Sequence, residues 1–130
     1  MRPLFHCIVG LIGAWTLLAV WGCGGGGSAP SVSSSRTEAT VSGTVTIKGK
    51  PATKGEVTFD PANSQRNVAA RTAPISGDGT YTVTTLVGGN IVRVATPETT
   101  RDPQLQFNET TFDVQSGTNT LDIVLPSSSP

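Results

Sequence analysis

A strict alternation of apolar and polar residues is the feature that most restricts what this chain can fold into. In residues 41–47 the odd-numbered positions are Val, Gly, Val and Ile, whereas the even-numbered positions are Ser or Thr. Residues 80–84 repeat the pattern, with Tyr81 and Val83 as the apolar pair. Successive side chains of a β-strand point to opposite faces, so this period of two predicts strands with one buried face.

The same alternation, bounded by turns, predicts about seven short strands between residues 39 and 125. The other apolar positions are Val57 and Phe59, Val92 and Val94 with Arg93 outward, Phe112 and Val114, and Leu121, Ile123 and Leu125, with a weaker strand near 67–73. The predicted turns are Gly49-Lys50-Pro51, a hairpin at Ser76-Gly77-Asp78-Gly79, Gly88-Gly89-Asn90 and Ser116-Gly117-Thr118-Asn119. This pattern predicts a single antiparallel all-β sandwich with an immunoglobulin-like outline. Residues 96–108 show no pattern that assigns them to an element.

The N-terminus has the three parts of an export signal. One firm positive charge, Arg2, precedes an apolar stretch over residues 7–20, and Trp21-Gly22-Cys23 follows before four glycines. The segment resembles a bacterial lipoprotein signal, cleaved between Gly22 and Cys23, with diacylglycerol attached to the Cys23 thiol. Two or three acyl chains give a durable membrane anchor. Trp21 departs from the pattern, because that position usually carries a small residue.

Two alternatives to lipidation stay open. Residues 4–21 are apolar and long enough to remain as an uncleaved membrane anchor. Cleavage without lipidation would instead release the protein by secretion. The leading interpretation divides the chain into a signal (1–22), a lipidated cysteine with a Gly/Ser-rich flexible tether (23–38), the sandwich (39–126) and a disordered tail (127–130). It places the protein in the cell envelope, outside the cytoplasm.

The predicted mature chain lacks most of the side chains that catalysis and metal binding use. The single histidine, His6, and one of the two cysteines, Cys7, lie within the signal. Their loss excludes an internal disulfide, a Cys/His zinc site, a Ser-His-Asp triad and a Cys-His dyad. Lys plus Arg and Asp plus Glu both number 9, so there is no excess of basic residues for nucleic acid. No cofactor and no metal are therefore expected.

Carboxylates are the remaining groups capable of acid–base chemistry. A pair set a few ångströms apart can hydrolyse glycosides, whereas scattered single acids usually serve as solvated surface groups. The acids are scattered along the mature chain: Glu38, Glu56, Asp60, Asp78, Glu98, Asp102, Glu109, Asp113 and Asp122. We therefore expect no catalytic residues and a non-enzymatic binding or structural role. A carboxylate-dependent hydrolase acting on envelope glycans is the alternative.

Four further features have both a structural and a functional interpretation. Asp78 is the only acid in a turn that loosely resembles a calcium loop, which favours a plain turn. Phe107 is the one aromatic residue that could lie at the surface, where sugar-binding proteins place such rings, but packing in the core or at an edge is favoured. Lys48 and Asn119 could form an isopeptide bond only if they were buried face to face, and Lys48 follows the polar face. The threonine faces at Thr44 and Thr46 and in residues 80–84 could pack against another protein, but ordinary solvated strands are favoured.

Several segments resemble carboxypeptidase regulatory-like domains, also described as transthyretin-like or prealbumin-like. The similar segments are VSGTV at 41–45, GKP at 49–51, GEVTF at 55–59, DGTYTV at 78–83 and TLDIVL at 120–125. The resemblance implies a sandwich that serves as an accessory or surface module, and it carries over no catalytic residue. The expected partners are the membrane, through the lipid, and an envelope protein or polysaccharide, but not nucleic acid.

Overall fold

A computed structural model of the chain describes residues 32–126, which form a β-sandwich of two sheets. The strands are β1 (Glu38–Ile47), β2 (Lys50–Pro51), β3 (Glu56–Asp60), β4 (Arg71–Pro74), β5 (Thr80–Leu86), β6 (Gly88–Ala95), β7 (Thr110–Val114), β8 (Thr118–Thr120) and β9 (Ile123–Leu125). Two helices, α1 (Pro97–Arg101) and α2 (Pro103–Gln106), lie between β6 and β7. The predicted all-β sandwich is confirmed. The strands number nine rather than about seven, because β2 is an added short strand and the predicted closing strand is divided into β8 and β9.

The first strand, β1, is the centre of the five-stranded sheet. Val45 donates its N–H to Gly79, just before β5, and accepts from Ala52, just after β2, so β5 and β2 lie along the same side of β1. Both pair with β1 antiparallel, whereas β8 and β9 pair with its other side in parallel. The second sheet is antiparallel throughout, in the order β4-β3-β6-β7. The parallel pairs differ from the expected antiparallel arrangement, because the chain crosses from β7 to the first sheet before it forms β8.

The core lies between the two sheets and contains the residues that the alternation placed there. Phe59 and Tyr81 are buried with their ring centroids 6.1 Å apart, and Arg93 is exposed between Val92 and Val94. Phe112 is half-buried and packs against the core. The apolar strand residues with no exposed surface are Val41, Val45, Val57, Phe59 and Val114. The predicted inward registers are therefore confirmed for these strands.

Two of the predicted turns differ from the expectation. Residues 76–79 form a turn in which Gly79 donates its N–H to the Ser76 carbonyl at 2.9 Å. The turn joins β4 to β5, which belong to different sheets, so it is not a hairpin. Residues 88–90, expected to form a turn, are instead the start of β6, and only Val87 separates β6 from β5.

The buried amide of Asn90 fixes this sharp crossing between the sheets. Its Nδ2 donates to the carbonyls of Leu86 and Gly88, each at 2.9 Å, and its Oδ1 accepts from the Thr85 hydroxyl at 2.7 Å. The amide replaces the ladder partners that the backbone loses where the chain leaves one sheet for the other.

The first hairpin turn lies slightly earlier than predicted. Lys48 and Gly49 both have positive φ, 50° and 81°, and Ile47 pairs with Lys50. Positive φ at both central residues defines the type I′ turn that suits the twist of a two-residue hairpin. Lys50 and Pro51, assigned to the turn from the sequence, form β2 instead.

The segment that the sequence left unassigned forms the two helices. Each begins with proline at the first helical position, after an N-cap residue, Thr96 for α1 and Asp102 for α2. Thr96 and Thr99 exchange backbone-to-hydroxyl bonds of 2.9 and 3.2 Å, which form a capping box. Leu105, only 1% exposed, turns inward from α2 and closes that end of the core.

The registers place two kinds of structure at opposite ends of the sandwich. The proximal end, where the N-terminal segment enters, carries the start of β1, the crossing at Val87 and the loop 61–70. The distal end carries the β1–β2 turn, the turn 76–79, both helices and the end of β9. None of the helices in the part that the structure describes is long and apolar enough to cross a membrane.

Candidate binding cleft

Two adjoining depressions at the distal end form a cleft, which we call the distal cleft. Their volumes are about 360 and 480 Å³, and both include Lys48 and Glu98 in their walls. The smaller depression is completed by Arg101, Asp102, Pro103 and Leu105, and the larger by Ile47, Lys50, Pro51, Ala52 and Thr53. Small-molecule sites have volumes in this range.

An ion pair between Lys48 and Asp102 joins the hairpin to the helices within the cleft. Lys48 Nζ lies 2.5 Å from Asp102 Oδ2. The other oxygen, Asp102 Oδ1, accepts the Gln104 N–H at 2.9 Å as the N-cap of α2. These two interactions, the one with Lys48 first, lower the pKa of Asp102. Asp102 is therefore ionised at neutral pH and held in place from both sides.

Glu98, the second carboxylate of the cleft, is also held in its ionised form. The backbone N–H of Glu98 and the side chain of Thr96 favour its charged form most, and the charges of Lys54 and Arg101 add to the effect. Together they lower the pKa of Glu98. A glycosidase needs one carboxyl group whose pKa is raised, so that it carries a proton at neutral pH. Neither acid of this cleft meets that requirement.

The other acids are mostly engaged one at a time in structural roles. Asp78 Oδ1 accepts from the Thr80 N–H at 3.1 Å and from its hydroxyl at 2.7 Å, which closes the turn. Asp122 Oδ1 accepts the N–H and hydroxyl of Thr44 at 2.9 and 3.1 Å. Glu109 pairs with Arg93. Between residues 32 and 126, no cluster of three or more metal-ligating side chains occurs.

The residues singled out from the sequence are spread over the molecule. Lys48 lies at the distal end, whereas the Asn119 amide bonds to the backbone of Gln115 and Thr40 towards the proximal end. The structure therefore does not bring the isopeptide pair together. Phe107, for which packing was favoured, is instead 89% exposed and follows α2. The lipidation and cleavage residues, Gly22 and Cys23, lie outside the described residues, and their roles stay predictions.

Arg66 is a buried charged residue that no sequence pattern singles out. It is 1% exposed, and its guanidinium donates to the carbonyls of Pro61 (2.8 Å), Ser35 (2.6 Å), Val87 (2.8 Å) and Gly89 (3.5 Å). Burial, and then the charge of nearby Arg36, lower the pKa of Arg66. A single Arg in a polar loop normally reads as a solvated side chain, so only the tertiary structure identifies it.

The N-terminal segment, residues 33–37, contacts the sandwich around Arg66. Asn63 Nδ2 donates to the Ser33 carbonyl at 2.8 Å, and Val87 donates its N–H to Thr37 at 2.9 Å. A Cβ on Gly88 would lie 2.3 Å from Ser33 Cβ, so the approach requires glycine there. The segment that the sequence assigned to the tether thus reaches the proximal end, and the ten residues of β1, about 30 Å long, separate that end from the cleft.

Comparison with protein-family models gives no match, and comparison with curated proteins gives none either. Among solved structures, the chain is similar to a DUF3823 family protein from Parabacteroides merdae, with a TM-score of 0.52 and 14% identity over 68% of this chain and 45% of that one. A DUF3823 family protein from Bacteroides ovatus gives a TM-score of 0.46 and 17% identity over 67% and 42%. The chain thus spans less than half the length of these proteins.

The similarity to the Parabacteroides protein supports the fold alone, as expected at such low identity. A dioxygenase domain from Streptomyces sp. SirexAA-E, part of a fusion with a carbohydrate-binding protein, is more distant, with a TM-score of 0.40 and 21% identity over 68% of this chain and 79% of that one. The class defined by fold and comparison is therefore a β-rich sandwich similar to DUF3823 proteins. The carboxypeptidase regulatory-like assignment stays a prediction.

Proposed function

We propose that the protein is a lipid-anchored module of the cell envelope with a non-enzymatic binding role, and that the distal cleft is its binding surface. The observation that carries this proposal is the difference between the two ends of the sandwich. The N-terminal segment is held at one end by Arg66, and the charged cleft opens at the other. A module anchored through Cys23 would therefore present its cleft on the side opposite its attachment.

The length of the tether supports this arrangement. Nine residues, 24–32, separate Cys23 from the docked segment, and an extended chain of that length reaches about 30 Å. A Gly/Ser-rich coil of nine residues has an end-to-end distance of about 17 Å. The sandwich would stay close to the membrane, with the cleft exposed to other components of the envelope.

The chemistry of the cleft favours a polar partner with apolar portions. Ile47, Pro51 and Ala52 line the larger depression with apolar surface, and the exposed Lys50 adds a positive charge to its wall. Small-molecule and polymer sites commonly combine such surface with a few fixed polar groups. An envelope protein segment or a polysaccharide fits this combination, and the proposal requires no cofactor.

A carboxylate-dependent hydrolase is the second candidate, because Glu98 and Asp102 share one depression. Both pKa values are lowered, which leaves no group protonated at neutral pH to act as general acid. We therefore expect the purified protein to release no sugar from cell-wall glycan. Release that is lost in Glu98→Gln but kept in Glu56→Gln, outside the cleft, would favour the hydrolase.

Intact-mass spectrometry of the detergent-extracted native protein tests the anchor, alongside Cys23→Ser. We expect a mass that begins at Cys23 plus acyl chains and is missing from the variant. An unmodified chain, full length or cut elsewhere, would contradict lipid anchoring and leave the membrane-spanning or secreted alternatives.

Co-sedimentation with insoluble cell-wall polysaccharide tests whether the distal cleft binds a polysaccharide. Lys50→Glu and Arg101→Glu should both reduce the bound fraction, because they reverse charges in the cleft walls. Arg71→Glu, at the proximal end of β4, is the matched control and should bind as the natural chain does. Equal losses in all three variants would contradict a specific role for the cleft.

A further inference from the structure

The charges of the described residues are divided unevenly between the distal cleft and the rest of the molecule. The three lysines of the chain lie within seven residues, at positions 48, 50 and 54, and the fold brings Arg101 beside them. With Lys54, whose charge acts on Glu98, the cleft has four cations and two carboxylates. The other residues of 32–126 have four cations and seven carboxylates. The cleft is therefore a positive region of a chain that is otherwise negative.

Both carboxylates of the cleft already have partners within the chain. Asp102 accepts from Lys48 and from the N–H of Gln104. The charged form of Glu98 is favoured most by its own backbone N–H and by the side chain of Thr96. Neither acid is therefore a free negative group that would select a cationic ligand.

The remaining cations have no such partner. No ion pair within residues 32–126 includes Lys50, Lys54 or Arg101, and all three residues are exposed. Arg101 lines the smaller depression and Lys50 the larger, whereas Lys48 belongs to the walls of both. Each depression thus presents one cation of its own to a ligand.

Two cations in neighbouring depressions suit an extended ligand with several negative groups better than a single ion, which would reach one of them. We propose that the distal cleft binds a linear acidic polysaccharide, whose carboxylates contact Arg101 in one depression and Lys50 in the other. The inference rests on the proposed function, because it names the class of ligand for the same cleft.

The cleft lacks the features by which proteins commonly hold a peptide. Strand addition needs a free edge, but the strand beside the cleft is β2, which has two residues including Pro51. A helix needs a continuous apolar groove, whereas Lys48 and Glu98 belong to the walls of both depressions. The apolar surface of Ile47 and Ala52 next to these charges suits the C–H groups and carboxylates of an acidic sugar chain.

The charge distribution favours the cleft during approach as well as in the complex. The negative remainder of the chain repels a polyanion, and the cleft attracts it. Exposed charges act over about 30 Å at 0.01 M salt but only about 8 Å at 0.15 M. Binding should therefore weaken as the salt concentration rises, whereas binding through apolar contacts alone would not.

Isothermal titration calorimetry of the native protein, extracted in an uncharged detergent, tests the proposal. The probes are polygalacturonate as the acidic polysaccharide, dextran as a neutral one and poly-L-glutamate as an acidic peptide. We expect polygalacturonate to bind at least about tenfold more tightly than either of the others, which corresponds to about 1.4 kcal/mol.

Charge variants of the cleft should act in opposite directions. Lys50→Gln and Arg101→Gln should each weaken polygalacturonate binding by about two- to fivefold, the effect of losing one exposed charge pair. Glu98→Gln should strengthen it by a similar factor, because it removes a negative charge from the walls. Lys50→Arg keeps the charge and is the matched control, with binding as in the natural chain. Loss of the fold cannot explain such a pattern, because it would weaken binding in every variant.

Amide chemical shifts of Ala52, Thr53 and Leu105 locate the site independently of the charge variants. Shifts at these residues with dextran as large as with polygalacturonate would overturn the acidic ligand and leave the proposed cleft in place. Shifts confined to the proximal end would contradict both. Tighter binding of poly-L-glutamate would overturn the assignment to a polysaccharide. Absence of polygalacturonate binding, or binding that the glutamine variants leave unchanged, would overturn the proposal.

Discussion

Replacing Arg66 by Met removes the guanidinium that holds three separate segments together at the proximal end. The side chain is 1% exposed and donates to backbone carbonyls of the N-terminal segment, the loop 61–70 and the crossing between β5 and β6. Methionine keeps much of the unbranched apolar stem and fills a similar volume. The substitution therefore tests mainly the polar contacts.

The expected loss follows from the acceptors that Met would leave unpaired. Val87 keeps a bond from the Ser33 hydroxyl at 3.3 Å, whereas Pro61 and Ser35 lose short bonds of 2.8 and 2.6 Å. An acceptor left unpaired on burial costs about 1–3 kcal/mol, and the charge that no longer has to be buried offsets part of this. We expect a net loss of about 3 kcal/mol in the free energy of unfolding. For a domain of this size that is a fall in Tm of about 12–24 °C.

Urea unfolding of residues 24–130 measures this loss, with Arg93→Met as the control. Arg93 is paired with Glu109 at the surface, and its side chain is half exposed, so its replacement should cost less than about 1 kcal/mol. A shorter chain that begins at residue 38 completes a double-mutant cycle, because it lacks Ser35, whose carbonyl is one of the acceptors of Arg66. Arg66→Met should then cost less in the truncated chain than in the longer one. Equal costs in the two chains, or a loss below about 1 kcal/mol in the longer one, would refute the idea that Arg66 secures the N-terminal segment.

Three further predictions concern the core and the cleft. Gly43→Ala should lower the free energy of unfolding in urea by about 1–3 kcal/mol or more, because its Cβ would lie 1.9 Å from the Leu121 carbonyl oxygen. Gly77→Ala is the control: its Cβ would meet open space, and the free energy of unfolding should change little. Burial, and then the charge of Asp122, raise the pKa of Tyr81 well above 10.0 in the folded protein. The neutral tyrosine therefore contributes stability that is fully present below pH 10.0 and is lost progressively as the pH rises towards the folded pKa. Ultraviolet titration of this single tyrosine should therefore show ionisation together with unfolding, and a phenolate in the folded protein near pH 10 would contradict this. Because the pKa of Asp102 is lowered from 3.8 in the folded protein, its ionised form contributes stability above pH 3.8, and this contribution is lost as the pH falls through the folded pKa. Asp102→Asn should therefore make the free energy of unfolding in urea fall less steeply below about pH 4. An unchanged slope would count against the ion pair.

The strands and their buried faces could be predicted from the sequence because alternation is a local property. Val41, Val45 and Tyr81 occupy inward positions that follow from period two alone. Pairing is not local, so the turn at residues 76–79 was assigned correctly as a turn but wrongly as a hairpin. Local sequence shows that a chain reverses direction, but not whether it returns to the same sheet.

The helices and the cleft could not be predicted for a different reason. Thr96-Pro97 and Asp102-Pro103 are N-terminal helix signals, but each helix is too short to show an apolar period. Leu105 is the only buried apolar residue that they contribute. The pairing of Lys48 with Asp102 depends on where the helices close the sandwich, 54 residues further along the chain. No spacing rule relates two such positions before the fold is known.

The residues that distinguish the two ends of this molecule lie outside its regular pattern of alternation. Arg66 and Asn90 satisfy backbone carbonyls where the chain leaves a sheet, and the cleft forms where two short helices replace a simple turn. In a small sandwich the alternating residues stabilise the core whatever the protein does, so they carry little information about function. The two ends differ because the irregular segments differ. Substitutions at these irregular positions, rather than in the strands, are therefore the ones that can test the proposed attachment at the proximal end separately from the proposed binding at the distal end.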